Sequence, residues 1–472
     1  MSEVDKFEIG RIVEEVIKKV RQKESFDGGS VSRGVFLNID DAINAASKAQ
    51  GDLMNLSLDK RKEIIQSMRE AVISNARLLA ETAVAETGMG RVPDKIQKNI
   101  LAAQKTPGVE DLVSTAVSGD RGLTLIEMGP YGVIGAITPS TNPAATVINN
   151  SIAMVSAGNS IVFNPHPAAK RVCMKAIELL NEAIEKAGGP KNLIATIKEP
   201  TVASSQALMK HRSIRILVVT GGPAVVHHAM TSGKKTIAAG PGNPPVVVDE
   251  TADIPKAARD IVAGASFDNN VMCISEKEVF VVDKVADELK EQMRLYGAYE
   301  LNARQTSFSE KLVAKEGGVG CPEPTLNRDL VGKDARVLAK SIGIDVSPET
   351  RLLITEVTAD HPLVYLEQLM PLLPIVRVKS AMEGIELSVK AEHGFLHTSA
   401  MHSKNIENLS NMAYRLQTSI FIKNAPTYAG LGFGGEGHTS LTIAGPTGEG
   451  VTSPRSFTRQ RRCVLVDYFR II

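Results

Sequence analysis

The sequence predicts an α/β protein built on parallel sheets, and three observations carry that expectation. Short runs such as GVIGAIT (132–138), SIVFNP (160–165), LIATI (193–197), IRILVVT (214–220) and PVVVD (245–249) are nearly continuous in apolar residues, as strands covered on both faces should be. Helical stretches separate them, for example AAKRVCMKAIELLNEAIEKAG, which Gly188 and Gly189 close. The alternation then recurs from Ala257 to about Ala444, with strands EVFVV, RLLITEV, LPIVRV and SIFIKN and helices around Ala286 and Asn405. Strands that alternate with helices pair in parallel, because the helix is the crossover that a parallel neighbour requires. At 472 residues, and with about 100–200 residues per domain, the chain is expected to hold two or three domains with a cleft.

In chain order, Ile9, Ile12, Val13, Val16, Ile17 and Val20 recur at helical spacing, with Arg11, Glu14, Glu15, Lys18 and Lys19 on the other face. QKESFDGGSVSRG (22–34) follows as a flexible linker, so this amphipathic helix is tethered. It either folds back on the body or docks on another protein. From Asp40 to about residue 105 the pattern is helical, with Asp40 and Asp59 as expected N-caps. LTLIEM (123–128) reads as another strand, and the closing RRCVLVDYFRII as a strand that pairs elsewhere, a subunit boundary being one place for it.

Composition excludes several classes of function. Lys plus Arg number 54 against 53 Asp plus Glu, so no strong field draws the whole chain to nucleic acid or membrane. No apolar stretch approaches the roughly 20 residues of a bilayer-spanning helix. The opening MSEVDKFEIG lacks the order of a secretory signal, and the cysteines at 173, 273, 321 and 463 show no CxxC spacing. Free thiols in a reducing, intracellular compartment are expected. Neither HEXXH nor a Cys/His cluster occurs, so no metal is expected.

Gly432, Gly434 and Gly437 in GLGFGGEG match GxGxxG, but the strand-like TSLTIAG follows where a phosphate-binding helix should open, so the match is rejected. In IRILVVTGGPAVVHHAM an apolar strand ends at Thr220, Gly221 and Gly222, and Pro223 stands in the first turn of a helix. The free N–H groups of that helix start suit a phosphate, although an ordinary strand-to-helix turn has the same residues. Among the thiols, Cys173 in an amphipathic helix and Cys463 in an apolar strand read as core residues, and Cys321 in GGVGCPEP is undecided. Cys273 follows Asp268, Asn269 and Asn270 and precedes a strand, a setting that fits a thiol meeting solvent as well as a packed one.

Taken together, GVIGAITPSTNPAAT with Pro139 and Asn142, TGGPAVVHHAM with Gly221, AAGPGNPPVVVDE, FDNNVMC with Cys273 and EQLMPLLPIVRV with Glu367 resemble the aldehyde dehydrogenase superfamily in order and spacing, over roughly residues 35 to 472. ETGMG, APTYAGLGFGGEG and SFTRQRRCVLV are similar, more narrowly, to the coenzyme A-acylating aldehyde dehydrogenases of propanediol and ethanolamine utilisation. The resemblance implies an aldehyde dehydrogenase-like fold: two Rossmann-type parallel-sheet domains plus a small β oligomerisation element. The cofactor-binding domain would take residues 35–115 and 132–244, the catalytic domain 245–445, and the oligomerisation element 116–131 and 446–472, after the helix and linker of 1–34.

It further implies that the Cys273 thiolate adds to an aldehyde carbonyl, and that the Asn142 amide with the Cys273 N–H stabilises the oxyanion. Hydride transfer to NAD then gives an acyl thioester. Thr220, Gly221 and Gly222 fall on the pyrophosphate side, Glu367 at the nicotinamide ribose, and Pro139 with the cofactor residues. Asn164, with His166 nearby, stands where many hydrolytic members have a lysine at the adenosine end, which leaves NAD against NADP open. Ala239 stands where hydrolytic members carry the glutamate that activates water. Its absence favours coenzyme A as acceptor and acyl-CoA as product.

Propionaldehyde is the first substrate expected, acetaldehyde the second. A homo-oligomer, dimer or tetramer, is implied, together with docking of residues 1–22 on a shell protein of a microcompartment in the bacterial cytoplasm. Arg455, Arg459, Arg461 and Arg462 are a basic run open to two readings, coenzyme A phosphates or a solvated or intersubunit face. Two rivals stand beside this: a hydrolytic or semialdehyde-oxidising dehydrogenase, and an assembly protein with a silent dehydrogenase body.

Overall fold

A computed structural model describes residues 30–316 and 325–471. The N-terminal amphipathic helix, most of its linker and Cys321 lie outside the described residues. Two seven-stranded sheets dominate the fold. The first runs Ser30–Ser32, Val35–Phe36, Ile194–Ile197, Ser160–Pro165, Val133–Thr138, Ile214–Thr220, Lys235–Ala239, and only its first pair is antiparallel. The second runs Ala298–Glu300, Leu352–Val357, Leu372–Val378, Glu278–Val282, Pro245–Val248, Thr398–His402, Ile420–Lys423 and is parallel throughout.

The period-two alternation of a strand explains why the runs are apolar without a break. Ile134 and Ala136 of the central strand pack in one cluster with helices Leu58–Thr87, Pro143–Ser156 and Lys170–Lys186, while Val133 and Ile137 pack on the other face with helix Ile39–Met54. Each fully buried aliphatic side chain contributes roughly 1.5–3 kcal/mol relative to exposure, and both faces collect it.

In the first sheet, chain order places Ser160–Pro165 on one side of Val133–Thr138 and Ile214–Thr220 on the other. The crossovers therefore diverge at the central strand. They leave a crevice at the carboxyl ends of these three strands, where open α/β sheets bind ligands.

A smaller antiparallel sheet joins Thr458–Val466, Gly122–Pro130 and Thr115–Gly119. The closing strand thus pairs inside its own chain, from Thr458 opposite Pro130 to Val466 opposite Gly122, and needs no subunit boundary for its hydrogen bonds. Among the described residues no second layer covers this strand: every residue from Arg459 to Val466 is exposed. Cys463 is therefore an exposed thiol, contrary to the core position expected, whereas Cys173 is buried as expected.

Two helix starts also differ from the expectation. Asn38 caps Ile39–Met54 by accepting from the Asp41 N–H, and Ser57 caps Leu58–Thr87 by accepting from Lys60. Asp40, Asp41 and Asp59 sit in the first turns instead, where their charge complements the positive helix end. TSLTIAG contributes only the short strand Ile443–Ala444. GLGFGGEG opens no helix: Gly432, Gly434 and Gly437 adopt positive φ in a loop after the 3-10 turn Thr427–Leu431. No described helix is long and apolar enough to cross a membrane.

Candidate active site

The crevice is part of a cavity of about 770 Å³ whose walls come from the carboxyl ends of the first sheet's strands and from loops that flank strands of the second. Cys273, Asn142, Thr220, Gly221, Gly222, Glu367, Asn164, His166 and Pro139 all line it. Sequence positions 139 to 367 thus converge on one space.

The nucleophile candidate is presented by an unusual turn. Asp268, Asn269 and Asn270 adopt φ of 49°, 55° and 64°, three left-handed residues in succession. Such a backbone costs about 1–3 kcal/mol per residue unless its surroundings hold it, and Asn and Asp tolerate it best among non-glycine residues. Here every side chain is tied down. Asn269 Nδ2 donates to Gly332 O and Asp334 Oδ1, both at 2.9 Å, and Asn270 Nδ2 donates to Ala265 O at 2.8 Å and Glu276 O at 2.9 Å. Asp268 accepts from the Arg91 N–H at 2.7 Å and from the ammonium groups of Lys95 and Lys98. The turn re-aims the chain after helix Ile254–Ser266 and leaves Cys273 on the cavity wall, only partly exposed.

Burial pushes the Cys273 thiol up to about 12, the nearby Glu367 adds to the rise, and Lys277 and Lys98 oppose it. Glu367 is itself raised to about 7 by burial, and its Oε1 accepts from the Gly242 N–H at 3.2 Å. Among the described residues it is the only carboxylate on the cavity wall. Below a raised pKa the thiolate fraction grows tenfold per pH unit. Alkylation of Cys273 by iodoacetamide, followed by peptide mass spectrometry on the cofactor-free protein, is therefore expected to accelerate steadily from pH 7 to pH 10, with no plateau near 8.5. Glu367→Gln should raise the rate above pH 7, where the carboxylate is charged, and change it less as pH falls below 7.

Asn142 precedes helix Pro143–Ser156 as its N-cap residue, but its side chain makes no capping bond. Its Oδ1 accepts from Lys98 Nζ, and among the described residues its NH2 reaches only Thr141 Oγ1 and Val271 O, both at 3.4 Å. On the other side of the cavity, Asn164 is engaged: its Oδ1 accepts from Ser204 Oγ at 2.6 Å, which anchors the start of helix Val202–Lys210. His166 is exposed, and its Nδ1 accepts from the Ala168 N–H at 3.2 Å.

The turn at Thr220 to Gly222 shows how a dinucleotide would fit. The Gly221 N–H is already given to Ala239 O at 3.2 Å, and a Cβ on Gly221 would stand 2.7 Å from Val225 Cγ1. This glycine serves close packing of the turn on its helix. A Cβ on Gly222 would meet open space, so the backbone there is approachable from the cavity, ahead of the free N–H groups of helix Pro223–Met230. These residues fit a pyrophosphate. Ala239, which ends strand Lys235–Ala239, is buried and supplies no acid or base.

None of Arg455, Arg459, Arg461 and Arg462 lines the cavity; among the described residues Arg328 is its only arginine or lysine. Sequence reasoning missed Lys95, Lys98, Lys277 and Gly242. Lys95 and Lys98 lie three apart on helix Val92–Lys105 and are buried, with nothing local to distinguish them from solvated lysines. Gly242, in AAGPGNPP, had a reason to be glycine: a Cβ there would lie 2.5 Å from the Cys273 carbonyl oxygen and 3.0 Å from His397 Cγ. Gly242→Ala must displace the Cys273 backbone, and a shift of that kind costs on the order of 10²-fold in turnover. Steady-state kinetics on the folded variant check this.

The fold and this cavity define an α/β enzyme class in which a thiol meets its substrate beside a dinucleotide crevice. Comparison with known proteins makes the class specific: the aldehyde dehydrogenase family matches residues 15–298. An acetaldehyde dehydrogenase (acetylating) EutE of Salmonella typhimurium (strain LT2) is 53% identical over 468 residues, covering 98% of this chain and 99% of that protein. The structure of a propionaldehyde dehydrogenase from the Clostridium phytofermentans fucose utilisation bacterial microcompartment superposes with a TM-score of 0.91 at 49% identity, covering 93% of this chain and 100% of that one. A Rhodopseudomonas palustris propionaldehyde dehydrogenase, solved with bound CoA and an acylated cysteine, gives 0.89 at 46% identity, covering 93% and 99%. The chain belongs to the aldehyde dehydrogenase family.

Proposed function

We infer that this chain is a CoA-acylating aldehyde dehydrogenase: it oxidises a short aliphatic aldehyde with NAD and coenzyme A to acyl-CoA and NADH, through a thioester on Cys273. The observation that carries this is the convergence of the Cys273 thiol and the Asn142 amide on one cavity at the carboxyl ends of the first sheet. Propionaldehyde and acetaldehyde are the substrates named for its relatives.

In this mechanism the Cys273 thiol gives up its proton to solvent and its sulfur bonds the aldehyde carbon. The former carbonyl oxygen becomes an oxyanion, which the Asn142 NH2 and the Cys273 N–H hold. Bound NAD supplies the acceptor for the hydride that leaves the tetrahedral carbon. Thr220, Gly221 and Gly222 would hold the pyrophosphate side of the cofactor, Glu367 the nicotinamide ribose, and Asn164 and His166 the adenosine end, with Pro139 on the same wall. The Cys273 thioester then faces two acceptors. Water needs a base, and Ala239 offers none; the coenzyme A thiolate needs less help, and the exchange of one thioester for another is nearly isoenergetic. Cys273 leaves as thiolate, ready for the next aldehyde.

The test is NADH production from propionaldehyde and NAD with and without coenzyme A. Sustained turnover is expected only with coenzyme A. Equal turnover without it would establish the hydrolytic alternative.

The same reading assigns residues 35–115 and 132–244 to cofactor binding, 245–445 to catalysis, and 116–131 with 446–472 to oligomerisation. Support for the last comes from the small sheet, whose Val117, Val464 and Val466 stand exposed. Residues 1–22 are assigned to docking on a microcompartment shell protein in the bacterial cytoplasm. Deleting residues 1–22 separates this from the assembly-protein alternative: turnover in solution should persist while encapsulation is lost.

A further inference from the structure

Lys98 is 3% exposed, and its ammonium bridges two parts of the fold. Nζ donates to Oδ1 of Asn142, at the start of helix Pro143–Ser156, and to Oδ2 of Asp268, in the left-handed turn that leads to Cys273. Lys95, on the same helix, shares Asp268 Oδ2 at 3.0 Å and donates to Thr141 O at 3.2 Å. Asp268 also fastens the start of this helix through the Arg91 N–H, and its own N–H donates to Asp94 Oδ2 at 2.9 Å. Helix Val92–Lys105 is thereby clamped to the nucleophile turn.

An amide side chain has one end that accepts and one that donates. With its oxygen held by an ammonium, Asn142 must turn its NH2 elsewhere, and among the described residues that NH2 finds only the two contacts at 3.4 Å. It keeps donor capacity on a side chain that faces the cavity. A flipped amide would aim its oxygen at a developing oxyanion and repel it. The Lys98 ammonium, held directly against the Asn142 oxygen, also polarises the amide and so favours negative charge in front of its NH2.

Building on the reading of Asn142 as oxyanion donor, we propose that Lys98 is a positioning residue: it locks the Asn142 amide in its donating orientation and holds it in register with the turn that carries Cys273. Burial lowers the Lys98 ammonium to about 8, with Asp268 the chief opposing influence, so it is charged at neutral pH.

The experiment is a double-mutant cycle on the pre-steady-state NADH burst of the full chain, using Lys98→Met, Asn142→Ala and the double variant. Asn142→Ala should slow the burst by about 10²–10³-fold, the measured range for a lost oxyanion donor. Lys98→Met should slow it by roughly 10–10²-fold, as a misplaced catalytic group does, with NAD affinity unchanged within about threefold. In the Asn142→Ala background Lys98→Met should slow it no further. Lys98→Gln, which keeps a donor, should recover part of the loss, and it carries the cycle if Lys98→Met fails to fold. Equal slowing by the Lys98 change in both backgrounds, or a wild-type burst in Lys98→Met beside a slow Asn142→Ala, overturns the inference alone. A wild-type burst in Asn142→Ala overturns the reading of Asn142 and the inference with it.

Discussion

Replacing Cys273 with alanine is expected to abolish NADH formation from propionaldehyde, NAD and coenzyme A, including the first turnover. The expectation follows from the cavity wall, because Cys273 is the only thiol among its described lining residues and no lining lysine can substitute as nucleophile. The substitution removes one sulfur from a partly exposed position and leaves the turn intact, since Asp268, Asn269 and Asn270 make their own bonds. Folding and NAD binding should therefore survive. Cys173 is no substitute: it is buried in the first sheet's core, where burial pushes its thiol up to about 12. Cys463 is exposed on the small sheet, away from the cavity. Residual activity above the blank in Cys273→Ala would place the chemistry on another group.

The second large effect belongs to Asn142→Ala. Removing an oxyanion donor typically lowers kcat by about 10²–10³-fold, some 2.7–4 kcal/mol of transition-state stabilisation. If Asn142 is the proposed oxyanion donor, its bond is made only as negative charge develops, so kcat should fall with little change in KM for the aldehyde. A rise in KM at constant kcat would instead mean that Asn142 binds substrate and transition state alike. Burst kinetics in the presence of coenzyme A distinguish these outcomes.

The parts of this fold that were visible in the sequence are those with a local signature. Val133–Thr138 and, apart from the exposed Arg215, Ile214–Thr220 are nearly continuous in apolar residues because both faces are covered, and that continuity is readable. Lys235–Ala239 was not recognised, since KTIAA is short and begins with the exposed Lys235 and the half-buried Thr236, nor was Thr398–His402. The latter is polar yet fully buried, because its hydroxyls find partners: Ser399 Oγ lies 2.8 Å from Thr418 Oγ1. No periodicity announces a bond to a residue elsewhere in the fold.

The site divides the same way. The three polar residues before Cys273 were conspicuous, but their successive left-handed conformation and the clamp from Lys98, 170 positions away, exist only in three dimensions. Cys463 was misplaced because an alternating strand was assumed to have a core beneath it. The N-caps were misplaced by two residues each, since Asp suits a cap and a first turn equally well.

The central claim is that the oxidised substrate rests on Cys273 and awaits a thiol. Its most direct measurement is peptide mass spectrometry of the enzyme after one turnover with propionaldehyde and NAD, before and after addition of coenzyme A. The account predicts a propionyl adduct on the peptide carrying Cys273, slow to discharge in water and rapidly discharged by coenzyme A with propionyl-CoA released in equal amount. An adduct lost to water as fast as to coenzyme A, or one found on any other residue, would contradict it.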